Sequence, residues 1–346
     1  MLRKLAGLLI SAALAMPVLA GPRPGIMVAS QMADYSVPRL NSQSVLVLNG
    51  NTGEALYEKN IHQRMPIASI SKLMTAMVLL DSELPMEQSV TISDAEIDRL
   101  KKTHSRLMVG TTLSRKELLL LALMSSENRA AAALARSYPG GTAAFVNRMN
   151  RKARSLGMHD TIFYDPTGLD MRNTSTAADL ARMVKAAHNY PLIRAFTTTQ
   201  EHQIVAANNR LLQYRNSNAL VRGGDWDISV QKTGYIQEAG RCMVMQATVG
   251  SQPLIIVLLA AGGSSARVND AKTIKTWLES HPSSWMAVTK VGRTAWRHLQ
   301  CHAVFTPYPH PIKPLPQSPA TAPDSVTPLR PKRLTSAINV HRSNWH

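Results

Sequence analysis

Cysteine, acidic residues and long apolar segments are all scarce in this chain. Its 346 residues include only two cysteines, Cys242 and Cys301, so disulfide bonds do not frame the fold, although a bridge between these two stays open. After the first 20 residues, no stretch has the roughly 20 apolar residues that a spanning helix requires, which predicts no stable membrane anchor. The histidines lack metal-ligand spacing, so no metal and no cofactor is predicted.

The shortage of acidic residues gives the chain a strong positive charge. Asp and Glu number 22 against 39 Lys and Arg, a formal net charge of +17. A charge of this size attracts polyanions without choosing among them. Anionic cell-wall polymer, phospholipid headgroups and a purely solubilising role all remain open. Nucleic acid is not predicted as a partner, because the N-terminus indicates export.

Both ends of the chain differ in composition from the part between them. Arg3 and Lys4 precede an apolar run of small residues that ends before Gly21, which is typical of a secretory signal peptide over residues 1–20. Residues 21–40 are interpreted as a linker. Residues 284–346 are rich in proline and basic residues and lack apolar periodicity, which predicts a disordered tail.

The pattern between residues 41 and 283 predicts one α+β domain. Apolar runs around Asn49-Gly50 indicate a hairpin, and apolar spacing from Ser69 onward indicates a helix. Further helices are predicted within 113–135, with a polar break at 125–128, and over 145–156, 176–188 and 270–279. Strands are predicted over 228–230, 232–235, 242–249 and 254–260. Strands at both ends with helices between them imply one sheet assembled from distant segments.

Three short motifs follow one another along this domain: Ser69-Ile70-Ser71-Lys72, then Ser126-Glu127-Asn128, then Lys232-Thr233-Gly234. Each is common by chance, but the three together specify an active site. A serine is a poor nucleophile without an adjacent base. The spacing of Ser69 and Lys72 supplies one, because residues i and i+3 share a helix face.

With their flanking residues, these motifs resemble the D-alanyl-D-alanine carboxypeptidase/endopeptidase family, the low-molecular-mass penicillin-binding proteins, and most closely its endopeptidases. The turn Asp165-Pro166-Thr167-Gly168-Leu169 adds to the resemblance. It implies a β-lactamase/transpeptidase-like fold, an antiparallel sheet packed by helices, with a helical subdomain between the SxxK and KTG motifs. It further implies a periplasmic enzyme that acts on peptidoglycan stem peptides and cross-links and takes β-lactams as covalent inhibitors.

The resemblance also assigns roles to the motif residues. Ser69 would attack the carbonyl, Lys72 would be its base, and Ser126 would pass a proton to the leaving amine. The other residues would bind substrate. Asn128 would hold the substrate amide, Lys232 would add positive potential, and the backbone N–H groups of Ser69 and Tyr235 would form an oxyanion hole. The predicted substrate-binding residues are Asn128, Lys232, Thr233, Gly234 and Tyr235.

Several alternatives stay open beside the predicted endopeptidase. A carboxypeptidase trimming stem pentapeptides would use the same machinery, and an inactive wall-binding homologue would keep only the fold. A class A β-lactamase needs a glutamate between the second and third motifs to activate water, and no Glu occurs from Arg129 to Gln200. Arg267 is interpreted either as a surface arginine or as a further contact for a substrate carboxylate.

Overall fold

The computed structural model of the protein describes residues 37–280. The predicted signal peptide, most of the predicted linker, the predicted tail and Cys301 lie outside these residues, and their assignments stay predictions. Within the described part of the chain, no helix is both long and apolar enough to cross a membrane.

Eleven strands and eight α-helices make up residues 37–280. The strands are β1 (Ser44–Asn49), β2 (Ala55–Lys59), β3 (Met65–Pro66), β4 (Ser89–Thr91), β5 (Thr112–Ser114), β6 (Thr174–Ser175), β7 (Glu201–Val205), β8 (Leu211–Arg215), β9 (Asp227–Ile236), β10 (Gly240–Val249) and β11 (Gln252–Ala261). The helices are α1 (Ser71–Leu80), α2 (Arg115–Met124), α3 (Asn128–Arg136), α4 (Gly141–Ser155), α5 (Ala177–Ala187), α6 (Pro191–Thr198), α7 (Ala219–Gly223) and α8 (Ala266–Ser280).

The main sheet joins the two ends of the described chain. Its five strands lie in the order β2-β1-β11-β10-β9, and every neighbouring pair is antiparallel. The N-terminal strand β1 pairs with the C-terminal strand β11, with Ser44 opposite Leu259. The predicted α+β arrangement, with one sheet built from distant segments, is therefore confirmed.

Apolar side chains cover both faces of this sheet. In β11, Ile255 and Val257 enter the core that contains α1 and α5, while Ile256 and Leu258 enter the core that contains α8. Alternate residues of a strand point to opposite faces, so a continuous apolar run such as Leu254–Ala260 is what a doubly covered strand requires. Helix α1 is buried along almost its whole length, in the larger of the two cores.

The predicted elements are present, with shifted ends. The hairpin around Asn49-Gly50 is β1–β2, and the predicted strands 228–230 and 232–235 form the single strand β9. Helices α4 and α8 begin four residues earlier than predicted. Cys242 is fully buried in β10, and burial raises the pKa of its thiol to about 11.

Candidate active site

Ser69 lies in a tight turn that leads into α1. The turn is a single 3₁₀ turn over Ala68–Ile70, so Ser69 stands just before α1 rather than within its first turn. Ala68 has a left-handed backbone with φ of 48°, and the Oγ of Ser71 donates to its carbonyl oxygen at 2.9 Å. Non-glycine residues seldom adopt this conformation, and such strain persists where the surroundings enforce it. Ala68 and Ile70 are fully buried, whereas Ser69 is partly exposed.

The turn at Asp165–Leu169 packs directly on this strained turn. A Cβ on Gly168 would stand 1.9 Å from the carbonyl oxygen of Ala68, and Gly168 itself has φ of 81°. Only glycine satisfies both conditions. Gly168 therefore allows the second turn to pack closely against the backbone next to Ser69, the predicted nucleophile.

Lys72 joins Ser69 to two other segments. Its Nζ lies 2.9 Å from Ser69 Oγ, 2.7 Å from Asn128 Oδ1 and 2.7 Å from the carbonyl oxygen of Thr167. Carbonyl oxygens only accept hydrogen bonds, so the two N–H groups of a neutral amine go to Asn128 and Thr167. The nitrogen lone pair is then left for the Ser69 hydroxyl. This is the arrangement that a general base for Ser69 requires.

The surroundings of Lys72 favour loss of its proton. Burial lowers the pKa of the Lys72 amine to about 8, although Asp165 and Glu127 act in the opposite direction. The side chain is only 1% exposed. With a pKa near 8, about a tenth of the molecules carry the neutral amine at pH 7. A free lysine would be almost entirely charged at that pH.

The second motif forms the turn between α2 and α3. Ser126 has a left-handed backbone with φ of 65°, and Asn128 is the first residue of α3. Glu127 caps α3, its carboxylate accepting from the backbone N–H of Arg129 at 3.2 Å. Asn128 also donates from Nδ2 to the Oγ1 of Thr103 at 3.3 Å. The structure thus brings Asn128 to Lys72, while Ser126 stays partly exposed in the same turn.

The third motif lies on β9, on the other side of Ser69. A Cβ on Gly234 would stand 3.0 Å from the backbone nitrogen of Ser69, so the strand needs a residue without a side chain there. Because Gly234 packs against the turn that carries Ser69, the next residue, Tyr235, lies close to Ser69. Thr233 Oγ1 lies 2.7 Å from the Oγ of Ser217, whose backbone nitrogen donates to Met124 at 2.8 Å. These bonds connect β9 to the end of α2.

Lys232 is fully buried in β9, and its Nζ donates to the carbonyl oxygen of Thr233 at 2.9 Å. Burial, with the nearby cations Lys72 and Arg267, holds its pKa well below the ordinary value for lysine. The sequence predicted that Lys232 adds positive potential. Burial and the neighbouring cations disfavour the protonated form of Lys232. A bound anion would favour that form.

Sequence reasoning missed several groups that support the site. Thr167 contributes a backbone carbonyl, which no side-chain pattern reveals, although the sequence does indicate a turn at residues 165–169. Ser217 belongs to none of the three motifs. Arg267 is partly buried and not a surface arginine, because its Nη1 donates to the carbonyl oxygens of Gly234 at 2.8 Å and Cys242 at 3.1 Å. These two bonds join Arg267 to the KTG strand and to its neighbour β10.

The geometry on both sides of Ser69 defines a class of enzyme. A serine with a desolvated lysine within hydrogen-bonding distance, between the SxN turn and a KTG strand, is equipped for acyl transfer through a serine ester. Among residues 37–280, no group of three His, Cys, Asp or Glu side chains is arranged to hold a metal ion.

Comparison with known proteins agrees with this class. The profile of the family described as D-alanyl-D-alanine carboxypeptidase matches residues 31–263. A D-alanyl-D-alanine endopeptidase of Pseudomonas aeruginosa is 44% identical over 282 residues, which cover 81% of this chain and 88% of that protein. An Escherichia coli protein of the same name is 43% identical over 246 residues, or 71% of this chain and 79% of that protein.

Solved structures agree as well. The crystal structure of the Streptomyces K15 DD-transpeptidase superposes with a TM-score of 0.64 at 29% identity, covering 69% of this chain and 97% of that chain. The chain belongs to the D-alanyl-D-alanine carboxypeptidase family of serine peptidases. The predicted family and the predicted transpeptidase-like fold are both confirmed.

Proposed function

We propose that the protein is a serine-type D-alanyl-D-alanine endopeptidase that cleaves D-alanyl cross-links in peptidoglycan. The observation that carries the proposal is the contact between Lys72 Nζ and Ser69 Oγ at 2.9 Å, in a site that lowers the pKa of the amine. The names of the relatives at 44% and 43% identity support the endopeptidase specificity.

The catalytic cycle uses the groups around Ser69. Neutral Lys72 takes the hydroxyl proton as Ser69 Oγ attacks the D-alanyl carbonyl carbon. The N–H groups of Ser69 and Tyr235 stabilise the resulting oxyanion. The C–N bond then breaks, and the proton held by Lys72 reaches the leaving amine through Ser126. Water attacks the ester by the same route, releasing the D-alanyl product and restoring Ser69.

Asn128 and the KTG segment hold the substrate during these steps. Asn128 keeps Lys72 oriented through its Oδ1, and its amide nitrogen, which donates to Thr103 Oγ1 without substrate, would meet the substrate amide. Lys232, with Thr233 beside it, meets the substrate carboxylate. Burial lowers the pKa of Lys232, and the negative charge of the bound carboxylate would raise it again and favour the protonated amine.

Bond specificity is tested with two purified substrates. Cross-linked muropeptide dimers and uncross-linked stem pentapeptides are incubated separately with the enzyme, and Ser69→Ala serves as the inactive control. We expect dimers to be converted to monomers and all cleavage to be lost in the variant. Release of free D-alanine while the dimers persist would identify a carboxypeptidase instead.

β-Lactams are expected to act as covalent inhibitors of Ser69. Their acyl-enzyme should be long-lived, because the nearby carboxylate of Asp165 already accepts from the backbone N–H groups of Thr167 at 2.9 Å and Gly168 at 3.1 Å. A carboxylate used in this way is poorly placed to activate water. Recovery of free enzyme within seconds of labelling by fluorescent penicillin would instead indicate a β-lactamase.

We propose that the protein acts in the periplasm, where its cell-wall substrate lies. The predicted signal peptide over residues 1–20 and membership of a peptidoglycan-acting family support this compartment. Fractionation of cells that express the full chain, with N-terminal sequencing of the periplasmic form, tests both the location and cleavage after Ala20.

A further inference from the structure

The segment between residues 97 and 107 forms the rim of the cleft on the SxN side. Its Thr103 accepts from Asn128 Nδ2 at 3.3 Å, and its Ser105 donates to the carboxylate of Glu127 at 2.7 Å. Asp98 holds the segment in shape by accepting from the backbone N–H groups of Leu100 at 2.9 Å and Lys101 at 3.0 Å. Lys101 therefore projects from a rim whose backbone is held in place next to Asn128.

Glu238 lies on the opposite rim. It is the second residue of the turn that connects β9 to β10. Because Gly234 of the same strand packs against the backbone of Ser69, Glu238 belongs to the KTG wall of the cleft. The Lys101 ammonium forms an ion pair with the Glu238 carboxylate, and both side chains are only partly exposed, at 26% and 30%. This ion pair joins the two walls between which Ser69 lies.

A third segment reaches the same place. Arg172 holds the pKa of Asp170 below its ordinary value, and the charge of Lys101 acts in the same direction, so Asp170 lies within electrostatic reach of Lys101. Asp170 follows the turn that carries Thr167. A cavity of about 290 Å³ lies beside these groups, lined by residues of the rim segment, of α3 and of the Asp165–Asp170 turn, with Asn128 among them.

Strand β9 is an edge strand of the main sheet. An extended peptide binds such an edge by pairing with its backbone, as one more strand. A donor peptide with its carbonyl at Ser69 and its chain along the edge beyond Tyr235 would run toward Glu238. A long peptide on that path would meet the ion pair, whereas a small acylating agent would end before it.

We propose that the Lys101–Glu238 ion pair is a strap across the mouth of the cleft that sets how large a substrate reaches Ser69. Small acylating agents react with the strap closed. A cross-linked peptidoglycan strand requires the strap to open, and this part rests on the proposed endopeptidase function. Opening is easy, because an ion pair that is partly exposed to water stabilises its closed form only weakly.

Two β-lactams of different size test the strap independently of the bond that is hydrolysed. One is a small penicillin, and the other carries a peptide-length side chain on the acylamino group. Glu238→Gln keeps the size of the side chain and removes its charge. We expect the second-order acylation rate constant to rise about two- to fivefold for the bulky compound, the factor set by a partly exposed ion pair. For the small compound it should stay within twofold. Lys101→Met should behave as Glu238→Gln does.

Two controls make the result specific. The exposed pair Lys116–Glu87, 3.6 Å apart and away from the cleft, gives the matched variant Glu87→Gln, which should leave both rate constants unchanged. The double variant Lys101→Met/Glu238→Gln should match the single variants, because removal of either charge already breaks the ion pair. Equal changes in the acylation rate constants of both β-lactams, or no change in either, would contradict the proposed strap.

Cleavage of muropeptide dimers by the same variants is measured separately. A rise parallel to that of the bulky β-lactam extends the strap to the natural substrate. If both β-lactams acylate the unmodified enzyme but dimers stay intact, the endopeptidase proposal fails. The strap proposal is then still tested by the difference between the two β-lactams.

Discussion

Lys72 should set the pH dependence of acylation. Burial lowers the pKa of its amine to about 8, and the base must be unprotonated to accept the Ser69 proton. We therefore expect the acylation rate constant to rise with pH from about 6 and to level off above about 8, instead of continuing to rise toward the ordinary lysine value. Stopped-flow measurement with a fluorescent penicillin across this range gives the midpoint. A flat profile between pH 6 and 9 would contradict the assignment.

The substitution Lys72→Arg separates charge from proton transfer. A guanidinium keeps the positive charge but does not give up its proton at ordinary pH. We expect acylation to fall by several orders of magnitude, with a circular dichroism spectrum like that of the unmodified enzyme. Near-normal acylation would show that another group takes the proton.

Asp165 tunes the base from outside the three motifs. Its negative charge raises the pKa of Lys72 against the effect of burial. Asp165→Asn removes that charge and keeps an acceptor for the turn. We expect the midpoint of the acylation profile to move to lower pH. Asp160→Asn, an exposed carboxylate in an ion pair with Arg64, is the matched control and should leave the midpoint in place. An unmoved midpoint in Asp165→Asn would exclude coupling to Lys72.

At the scale of elements, the turn at Asp165–Leu169 supports the turn that carries Ser69. Gly168→Ala would place a methyl group 1.9 Å from the carbonyl oxygen of Ala68, so one of the two turns must move. We expect acylation to fall at least about 100-fold, since misplacing reacting groups by about 1 Å has an effect of this size. The measurement is the rate of penicillin labelling of the folded fraction.

Gly224→Ala separates this clash from backbone strain. Gly224 has φ of 78°, close to that of Gly168, but a Cβ there has no heavy atom within 4 Å. We expect it to lower the free energy of unfolding by about 1–2 kcal/mol, the cost of a left-handed alanine, and to leave acylation unchanged. Equal loss of acylation in both variants would show that strain, and not the contact with Ala68, is responsible.

Regular elements were predictable from sequence, and the connections between them were not. The apolar spacing of α1 and the apolar run of β11 are both visible within short stretches of sequence. The two-residue ladder β3–β6 is too short to have a period. Ser69 and Lys72 follow from helix geometry because they are three residues apart, but Lys101 and Glu238 are separated by 137 residues, and no local pattern pairs them.

At the scale of the whole domain, Asp270 of the C-terminal helix α8 binds the N-terminal segment that precedes β1. This carboxylate is 1% exposed and accepts from the backbone nitrogens of Asn41 at 2.9 Å and Ser42 at 2.7 Å. Asp270→Ala would leave the Ser42 N–H buried without its acceptor. We expect a loss of about 3 kcal/mol in the free energy of unfolding. Chemical denaturation measures the loss, and acylation under native conditions should be unchanged.

Glu279→Gln is the control for that experiment. It lies on the same helix, α8, in a partly exposed pair with Lys275 at 4.0 Å, so we expect a change of less than about 0.5 kcal/mol. If Asp270→Ala lowered the free energy of unfolding no more than this variant does, the hydrogen bonds between α8 and the N-terminal segment would contribute little to stability.

The pairing of β1 with β11 has a consequence for the order in which the molecule forms. The ribosome synthesises the hairpin β1–β2 early, but β11, the neighbour of β1 in the sheet, is synthesised only after the Ser69 turn, the SxN turn and the KTG strand. Until β11 arrives, Val45 and Val47 have no sheet neighbour on that side, and such distant pairings close slowly. Chains interrupted between Ile236 and Gln252 therefore carry every predicted catalytic residue and still expose an unfinished, aggregation-prone sheet edge.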